Sequence, residues 1–179
     1  MNGSMNVMKK VLLIGPGGAG KSTLAKELGK ITEIPVIHLD AIYWKSGWVE
    51  TAKEEWKAVV EELIARDSWI MDGNYGGTLD ARLAAADTVI FFDFPPFLCI
   101  WRFFIRRIKF HKKNRPDMAE GCNERISWTF LKWVYNYRRD RKPGVLEKLH
   151  AVRSEKTIFV LSTRQSVSDL TESLRRKYA

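Results

Sequence analysis

Short aliphatic runs alternate with longer amphipathic segments along the chain. Runs of four to six mostly aliphatic or aromatic residues are typical of strands that are buried on both faces of a parallel sheet. Five such runs predict five strands, at residues 10–15 (KVLLIG), 35–39 (PVIHL), 68–71 (SWIM), 88–92 (TVIFF) and 157–161 (TIFVL). Because ligands bind at the carboxyl ends of such strands, the segments that follow them are candidate functional loops.

Apolar residues at helical spacing lie between the predicted strands. Thr51 is predicted to cap a helix over residues 51–66, and Glu54 is predicted to complete a capping box with it. Pro96 is expected in the first turn of a helix that ends near residue 110. Further helices are predicted over residues 20–30, 78–85, 127–139, 145–151 and 166–178. This alternation indicates an α/β fold with a parallel sheet that helices cover on both faces.

The composition is that of an ordinary globular domain. The 179 residues are 45% hydrophobic and 28% charged, which fits one domain with a sizeable core and excludes a disordered or fibrous chain. Cys99 and Cys122 lie far apart without a CxxC pattern and are interpreted as reduced thiols. The apolar runs are of strand length and the first residues do not have the pattern of a signal peptide, so we expect a cytoplasmic protein without a membrane partner.

Positive charge is concentrated in one part of the chain. The formal net charge is +9, which favours anionic partners such as nucleotides, phosphorylated metabolites, nucleic acid or a membrane surface. Much of the excess lies in residues 102–115 and 138–142. Residues 111–125 are polar and basic and are predicted to form a mobile loop. Two basic clusters that flank such a loop suggest a lid that excludes water.

The segment GPGGAGKS at residues 15–22 matches the phosphate-binding pattern G-x-x-x-x-G-K-[ST], between a predicted strand and a predicted helix. Glycines let successive backbone N–H groups point at phosphate oxygens, and the helix N-terminus adds positive charge. Lys21 is predicted to contact the β- and γ-phosphates of ATP, and the Ser22 hydroxyl to bind Mg²⁺. The residues predicted to bind ATP or its Mg²⁺ are Gly15, Gly17, Gly18, Ala19, Gly20, Lys21, Ser22 and Thr23.

Three aspartates follow directly after predicted strands and should meet at one edge of the sheet. Asp72 is predicted to reach Mg²⁺, usually through water, while a turn or cap role is the alternative. Asp40 is either a general base for a substrate hydroxyl, a residue that orients the substrate, or a cap for the next turn. Asp93 precedes two prolines, so a turn role is favoured there.

Two groups of arginines are candidates for contact with phosphate. Arg102 and Arg106 are four residues apart and share a helix face, which either contacts a nucleotide or faces solvent. Arg138 and Arg139 follow the predicted mobile loop, where arginines can stabilise the charge of a transferring phosphoryl group. A surface role is the alternative for each of them.

The loops after the second and third strands, residues 43–48 and 73–77, are rich in aromatic residues and glycine. They either stack on a flat substrate such as a base or pack locally. Arg82 lies near these loops in sequence and could hold an anionic group. The three histidines do not show metal-ligand spacing and are interpreted as incidental.

The chain resembles the adenylate-kinase-like branch of P-loop kinases and, within it, the bacterial DNA topology modulation protein family. The stretches that carry the resemblance are GPGGAGKST, HLDAIYWKSGW, WIMDGNYGGTLDARL, DTVIFFDFP, WRFFIRRIKF and RPDMAEGCNERISWTFLKWVYNYRRDR. The resemblance implies a three-layer P-loop fold in a single domain over residues 1–179. It also implies a five-stranded parallel sheet of order 2-3-1-4-5 and a lid at about residues 110–126.

The resemblance also implies roles for single residues. Asp72 would hold Mg²⁺ through water, Arg102 would pack on the ATP adenine, and Arg106 would contact ATP phosphates. Arg138 and Arg139 would contact the transferred phosphoryl group. The chain departs from adenylate kinases in having Asn-Tyr-Gly where they have Phe-Pro-Arg, and in its aromatic loop after the second strand. Both departures speak against AMP as the acceptor.

Together these features predict a kinase that binds ATP and Mg²⁺ and phosphorylates a small acceptor such as a nucleoside, a nucleotide or another hydroxyl metabolite. One alternative is an ATP-dependent, DNA-associated protein, which the charge permits but which lacks a recognised DNA-binding motif in this sequence. The other alternative is a nucleotide-binding switch with little catalysis.

Overall fold

The fold is described from a computed structural model that covers residues 8–109, 121–122 and 127–179. The predicted lid at residues 110–126 therefore lies outside the described residues, apart from Gly121 and Cys122. Within the described residues, every helix is too short or too polar to cross a membrane.

Five parallel strands form the central sheet, and two short strands form a separate hairpin. The strands are β1 (Lys10–Ile14), β2 (Val36–His38), β3 (Trp44–Lys45), β4 (Val49–Glu50), β5 (Trp69–Asp72), β6 (Thr88–Phe92) and β7 (Thr157–Leu161). The order in the central sheet is β2-β5-β1-β6-β7. This order confirms the predicted arrangement 2-3-1-4-5 of the five main strands.

Eight α-helices and one short 3-10 helix (Gly76–Thr78) are present in the described residues. The α-helices are α1 (Lys21–Thr32), α2 (Leu39–Tyr43), α3 (Lys53–Ala65), α4 (Leu79–Ala85), α5 (Pro96–Lys109), α6 (Trp128–Asp140), α7 (Lys142–Val152) and α8 (Arg164–Tyr178). The predicted alternation of strands and helices is thus confirmed, with α2 as an additional short helix.

The core forms two layers, one on each face of the sheet, because side chains along a strand alternate in direction. In β1, Val11 and Leu13 pack in one cluster with residues of α1, α5, α6 and α8. Leu12 and Ile14 pack in the other cluster with residues of α3, α4 and α7. All four of these side chains are at most 1% exposed. The fold is therefore the predicted three-layer α/β arrangement, and the apolar run of β1 is continuous because both of its faces are covered.

The predicted capping box at α3 is wrong. The helix begins at Lys53 with Ala52 as its N-cap, and none of the described side chains caps it. The Thr51 hydroxyl instead donates a hydrogen bond to the carbonyl oxygen of Tyr43 at 2.6 Å. Thr51 is buried, so its hydroxyl is satisfied by the end of α2 and is not available to the helix that follows it.

The hairpin β3–β4 was not predicted from the sequence. Lys45 pairs with Val49, and the loop between them turns at Gly47 and Trp48, whose φ angles are +76° and +67°. Cys122 is buried and its thiol donates to the carbonyl oxygen of Lys45 at 3.3 Å. Residues 121–122 therefore lie against this hairpin.

Candidate functional site

The loop between β1 and α1 has the left-handed glycines that its sequence pattern requires. The φ angles are +138° at Gly15, +79° at Gly18 and +104° at Gly20. Residues other than glycine rarely adopt φ angles in this region. Space is also short, because a Cβ at Gly15 would lie 2.6 Å from the backbone oxygen of Phe92 and a Cβ at Gly18 would overlap the backbone oxygen of Cys99. The loop is therefore fixed by its backbone angles and by its packing on β6 and α5.

Helix α6 lies against the outer side of the same loop. A Cβ at Gly17 would be 2.5 Å from the ring of Phe130, which belongs to α6. Ala19 is buried, and its N–H donates to the carbonyl oxygen of Pro16 at 3.3 Å. A side chain at residue 17 would therefore require the Phe130 ring to move.

The N-terminus of α1 supplies backbone donors that an anion can use. Its N-cap is Gly20, and among the described residues no side chain accepts a hydrogen bond from the first turn. The first turn also does not contain an acidic residue. The first N–H groups of a helix need partners, and an anion provides them. Ser22 is half-buried and Thr23 is exposed in this first turn, so both predicted hydroxyls lie at the start of the helix.

Lys21 is the first residue of α1, and its side chain folds back over the loop. Its Nζ donates to the carbonyl oxygens of Gly15 and Pro16, both at 2.9 Å. Burial lowers the pKa of Lys21, while the charges of Asp72 and Asp40 act in the opposite direction. The lysine therefore lies on the phosphate-binding loop, near enough to both carboxylates for their charges to raise its pKa.

Asp72 is the last residue of β5 and stands beside Leu13 of β1 in the sheet. It is only 5% exposed, and its Oδ1 lies 2.6 Å from Nδ1 of His38. An ionised carboxylate only accepts hydrogen bonds, so the imidazole Nδ1–H is the donor. His38 was interpreted as incidental, and that interpretation is wrong. The contact between His38 and Asp72 could be expected from the sequence, because both residues end strands that are neighbours in the predicted order, and the structure pairs them in register.

Asp40 lies in α2 and is half-buried. Its Oδ1 accepts a hydrogen bond from the Tyr75 hydroxyl at 2.6 Å. Burial raises the pKa of Tyr75, and the negative charge of Asp40 raises it further. Tyr75 therefore stays protonated and remains a donor to Asp40 over the whole neutral range.

Asn74 joins the loop after β5 to the start of the phosphate-binding loop. Its Oδ1 accepts from the N–H of Gly15 at 3.1 Å, and its Nδ2 donates to the carbonyl oxygen of Gly15 at 2.7 Å. This side-chain amide thus satisfies both backbone groups of one residue. Asn74 was noted in the sequence only as a departure from adenylate kinases, and nothing there indicated this contact.

Arg82 lies beneath the same loop and is fully buried, with 0% of its surface exposed. Its guanidinium donates to four oxygens: Thr78 Oγ1 at 3.2 Å and the carbonyls of Gly73 at 2.9 Å, Asn74 at 3.0 Å and Tyr75 at 2.8 Å. Burial lowers the pKa of Arg82 to about 10, so the side chain remains charged at neutral pH. The hypothesis that Arg82 holds an anionic group is wrong, because the side chain does not reach the surface.

The two arginines of α5 lie on the side of the site that faces the phosphate-binding loop. Arg102 donates from Nη1 to the carbonyl oxygen of Ala19 at 2.9 Å, and its guanidinium carbon is 4.9 Å from the centre of the Phe94 ring. The guanidinium carbon of Arg106 is 5.4 Å from the centre of the Phe103 ring. The charge of Arg106 also lowers the pKa of Lys21. Contact of these arginines with adenine and phosphate remains a prediction.

The arginines at the end of α6 have carboxylate partners. Asp93 binds Lys142 through Oδ2 at 2.6 Å and Arg138 through Oδ1 at 3.6 Å. Arg139 pairs with the neighbouring Asp140 at 2.6 Å, and its side chain is 75% exposed. Asp93 therefore links the end of β6 to α6 and α7, and its predicted turn role stays a prediction. The catalytic roles of Arg138 and Arg139 remain predictions.

The aromatic residues of the two loops pack on one another. The ring centres are 4.5 to 5.3 Å apart along the pairs Tyr43–Tyr75, Trp56–Tyr75, Tyr43–Trp44, Tyr43–Trp56 and Trp44–Trp48. Only Trp56 is fully buried, and the other four rings are half-buried. Of the two interpretations of these loops, local packing is the one observed. Stacking on a flat substrate stays a prediction, and the packed rings form an aromatic wall next to Asp40.

Ser22 and Asp72 fit a magnesium site of the kind that P-loop proteins use. Mg²⁺ prefers oxygen ligands and usually binds through one or two protein groups together with substrate phosphates and water. Among the described residues there is no group of three or more His, Cys, Asp or Glu side chains that could hold a metal by themselves. One hydroxyl and one buried carboxylate beside a phosphate-binding loop suit this shared mode of binding.

The fold and the loop define an α/β domain with a glycine-rich loop between β1 and α1. Similar solved structures include a shikimate kinase from Acinetobacter baumannii in complex with shikimate, at 18% identity, 95% coverage of this chain, 92% coverage of that chain and a TM-score of 0.56. A gluconokinase from Sinorhizobium meliloti 1021 matches at 15% identity, with 98% of this chain, 100% of that chain and a TM-score of 0.52. A shikimate kinase from Bacteroides thetaiotaomicron matches at 15% identity, with 95% and 98% coverage and a TM-score of 0.51.

At the level of sequence families, the ATPase family associated with various cellular activities (AAA) matches residues 11–93. This region runs from β1 to the residue that follows β6, so it contains the phosphate-binding loop and Asp72. No curated protein matches the chain. The comparisons thus establish an α/β fold that is similar to the folds of solved kinases.

Proposed function

We propose that this protein is an ATP-dependent kinase that transfers the γ-phosphoryl group to a hydroxyl group of a small acceptor. The observation that carries the proposal is the position of Lys21, which lies on the phosphate-binding loop while the charges of Asp72 and Asp40 act on it. A loop that only binds a nucleotide needs one such carboxylate for Mg²⁺. A second carboxylate beside the same lysine suits an acceptor hydroxyl.

On the nucleotide side, the backbone amides of residues 15–20 and the N-terminus of α1 would bind the phosphates. Lys21 would exchange its two backbone carbonyl partners for phosphate oxygens. Arg102 and Arg106 would contact the nucleotide from α5. Ser22 and Asp72 would hold Mg²⁺, which neutralises phosphate charge when it is bound.

On the acceptor side, Asp40 would accept the proton of the attacking hydroxyl. The acceptor oxygen forms a bond to the γ-phosphorus, and the bond from that phosphorus to the bridging oxygen breaks. ADP leaves with the electron pair of the broken bond, so charge and atoms balance. The hydrogen bond from Tyr75 fixes the direction of the Asp40 carboxylate, and positioning of this kind accounts for much of the catalysis in phosphoryl transfer.

The fold neighbours support a small-molecule acceptor, since the solved structures of similar fold are a gluconokinase and shikimate kinases. At 15% to 18% identity they do not identify the acceptor itself. Arg82 is sequestered by backbone carbonyls, so it is not available to bind a carboxylate or phosphate of the acceptor.

An acceptor screen tests the proposal. Purified protein with ATP and Mg²⁺ is mixed with nucleosides, nucleotides, sugars and polyols, and ADP release is measured. At least one acceptor should stimulate ADP release in the wild type and in Lys30→Ala, which changes an exposed lysine on the same helix. Lys21→Ala should abolish the signal. Normal ATP binding without any stimulated ADP release would instead support a nucleotide switch.

Association with DNA is the second candidate, and two exposed aromatic side chains favour it. Trp101 of α5 and Trp128 of α6 are 63% and 79% exposed on a chain of net charge +9. Exposed aromatic rings beside positive charge are typical of single-stranded nucleic-acid binding. A steep decrease of DNA affinity with salt, removed by Trp101→Ala together with Trp128→Ala, would support this candidate. Absence of DNA binding at low salt would exclude it.

A further inference from the structure

The loop after β5, residues 73–75, has all three of its backbone carbonyls bound by one side chain. Arg82 donates to Gly73, Asn74 and Tyr75 at 2.8 to 3.0 Å, and it reaches them from inside the protein. A lysine carries its three donors on a single nitrogen, whereas the planar guanidinium presents donors on separate nitrogens in fixed directions, as the contacts from Nη1 and Nη2 show. The conformation of this loop is therefore set by Arg82.

The side chains of two consecutive residues in this loop reach opposite halves of the site. Asn74 pairs with both backbone groups of Gly15, at the start of the phosphate-binding loop. Tyr75 donates to Asp40, the carboxylate on the acceptor side. Both residues accept from the same nitrogen, Nη2 of Arg82. Nη2 of Arg82 therefore fixes the backbone of both residues, whose side chains bind Gly15 and Asp40.

The carbonyl oxygen of Gly15 is shared between this loop and Lys21. It accepts from Asn74 at 2.7 Å and from Lys21 at 2.9 Å. A carbonyl has two lone pairs and can serve both donors. When Lys21 turns toward a phosphate, Asn74 can keep the carbonyl satisfied. The phosphate-binding loop can then retain its shape during that exchange.

We propose that Arg82 is a positioning residue which, through the loop at residues 73–75, sets the phosphate-binding loop at Gly15 and the acceptor-side carboxylate of Asp40. This inference rests on the proposed function, because it assigns Arg82 a role in the same site. Arg82 does not contact a ligand, and it acts on ATP through Asn74 and on the acceptor through Tyr75. Its buried charge is compensated by four hydrogen bonds to oxygen atoms.

A double-mutant cycle on ATP affinity tests the route through Asn74. Calorimetry with ATP and Mg²⁺ is carried out on the wild type, Asn74→Ala, Arg82→Lys and the double variant. Each single variant should weaken ATP binding about tenfold, which corresponds to the loss of a buried hydrogen bond. The double variant should bind ATP no more weakly than Asn74→Ala, because both changes break the same route.

Lys156→Met is the matched control for a merely structural role. Lys156 also binds two backbone carbonyls near the end of α4, those of Ala84 and Ala86, but at the opposite end of the sheet. Its removal should lower the melting temperature and leave ATP affinity unchanged. ATP affinity equal to the wild type in Arg82→Lys would overturn the proposal, as would fully additive effects in the double variant.

Amide hydrogen exchange at Gly15 gives a readout that does not need a nucleotide. Arg82→Lys and Asn74→Ala should both speed exchange of the Gly15 amide, which is otherwise bound to Asn74 Oδ1, while Lys156→Met should not. Unchanged exchange in Arg82→Lys would contradict the inference even if ATP did not bind. Wild-type protein that failed to bind ATP would contradict the proposed function alone, so the two failures are distinguishable.

Discussion

The nucleotide side and the acceptor side of the site are built from different parts of the chain. The nucleotide side is backbone: a glycine loop and a helix N-terminus, held tightly against Phe92 and Cys99. The acceptor side is made of side chains: Asp40, held by Tyr75, next to an aromatic wall. The nucleotide side depends on the backbone conformation and tolerates few substitutions. On the acceptor side, a single substitution can remove one contact at a time.

The largest effect is expected from a change to the backbone side. Gly18→Ala should abolish ATP binding, because residue 18 has a φ of +79° and the new methyl group would overlap the backbone oxygen of Cys99. Gly144→Ala is the control, since a Cβ there would not meet any atom within 4 Å. It should keep ATP affinity and unfold at the same or a slightly higher temperature, because alanine favours a helix by up to about 1 kcal/mol. Calorimetry measures ATP affinity and thermal unfolding measures stability. Normal ATP binding by Gly18→Ala would contradict the claim that ATP binding depends on the backbone geometry at residue 18.

A large effect confined to turnover is expected on the acceptor side. Asp40→Asn should lower the rate of ADP release with a working acceptor by about a hundredfold or more, because a general base contributes about that much. ATP affinity should be unchanged. Asp80→Asn changes an exposed carboxylate on α4 and should alter neither quantity. If Asp40→Asn weakened ATP binding as much as it slowed turnover, Asp40 would belong to the nucleotide side.

A smaller effect is expected from the contact that orients Asp40. Tyr75→Phe should lower turnover by about tenfold, as expected for loss of one charge-assisted hydrogen bond. Binding of ATP should remain normal, since Asn74 still holds Gly15. Equal turnover in Tyr75→Phe and the wild type would show that Asp40 keeps its position by other means.

The same tyrosine makes stability depend on alkaline pH. Because burial raises the pKa of Tyr75, the folded protein keeps the phenolic proton at a pH where an unfolded tyrosine, with a pKa of about 10, loses it. The unfolded state then binds fewer protons, so stability should fall as the pH rises above about 10. Urea unfolding at about pH 8 and about pH 11 should show a smaller loss in Tyr75→Phe than in the wild type. Tyr43 and Tyr137, whose pKa values burial also raises, contribute to the part that remains, while Lys21 and Arg82, whose pKa values burial lowers, act in the opposite direction.

The smallest effect on stability is expected at Arg139. Its pair with Asp140 is exposed to solvent, and exposed pairs contribute little to stability. Arg139→Ala should leave the melting temperature unchanged, and it should reduce turnover only if the predicted catalytic role is correct. Unchanged turnover would remove Arg139 from the catalytic set and leave Arg138 as the remaining candidate on α6.

The backbone side of the site could be predicted from the sequence because its determinants are local. The strand Thr88–Phe92 and the strand Thr157–Leu161 have the predicted bounds, and the strand order agrees as well. A glycine pattern between a strand and a helix fixes both the path of the loop and its chemistry. The position of Lys21 and Asp72 then follows from the fold.

The side-chain contacts could not be predicted in the same way. Whether Arg82 faces a ligand or three backbone carbonyls depends on the conformation of a loop seven to nine residues earlier in sequence. Thr51 has the sequence of a cap, but its hydroxyl is taken by a carbonyl of the preceding helix. His38 could have been found by combining two predictions, because the strand order places it beside Asp72. Competition between local and distant partners is decided only in the folded chain.

The pair Trp44 and Trp48 gives the acceptor side an optical property of its own. Their ring centres are 5.3 Å apart with an angle of 65° between the ring planes, both are half-buried, and Trp44 also packs on Tyr43. Two indole chromophores at this separation and angle couple through their strong far-ultraviolet transitions, which produces a pair of circular dichroism bands of opposite sign. An acceptor that entered beside Asp40 would disturb these bands, so candidate compounds can be ranked by spectroscopy without any label and before turnover is observed.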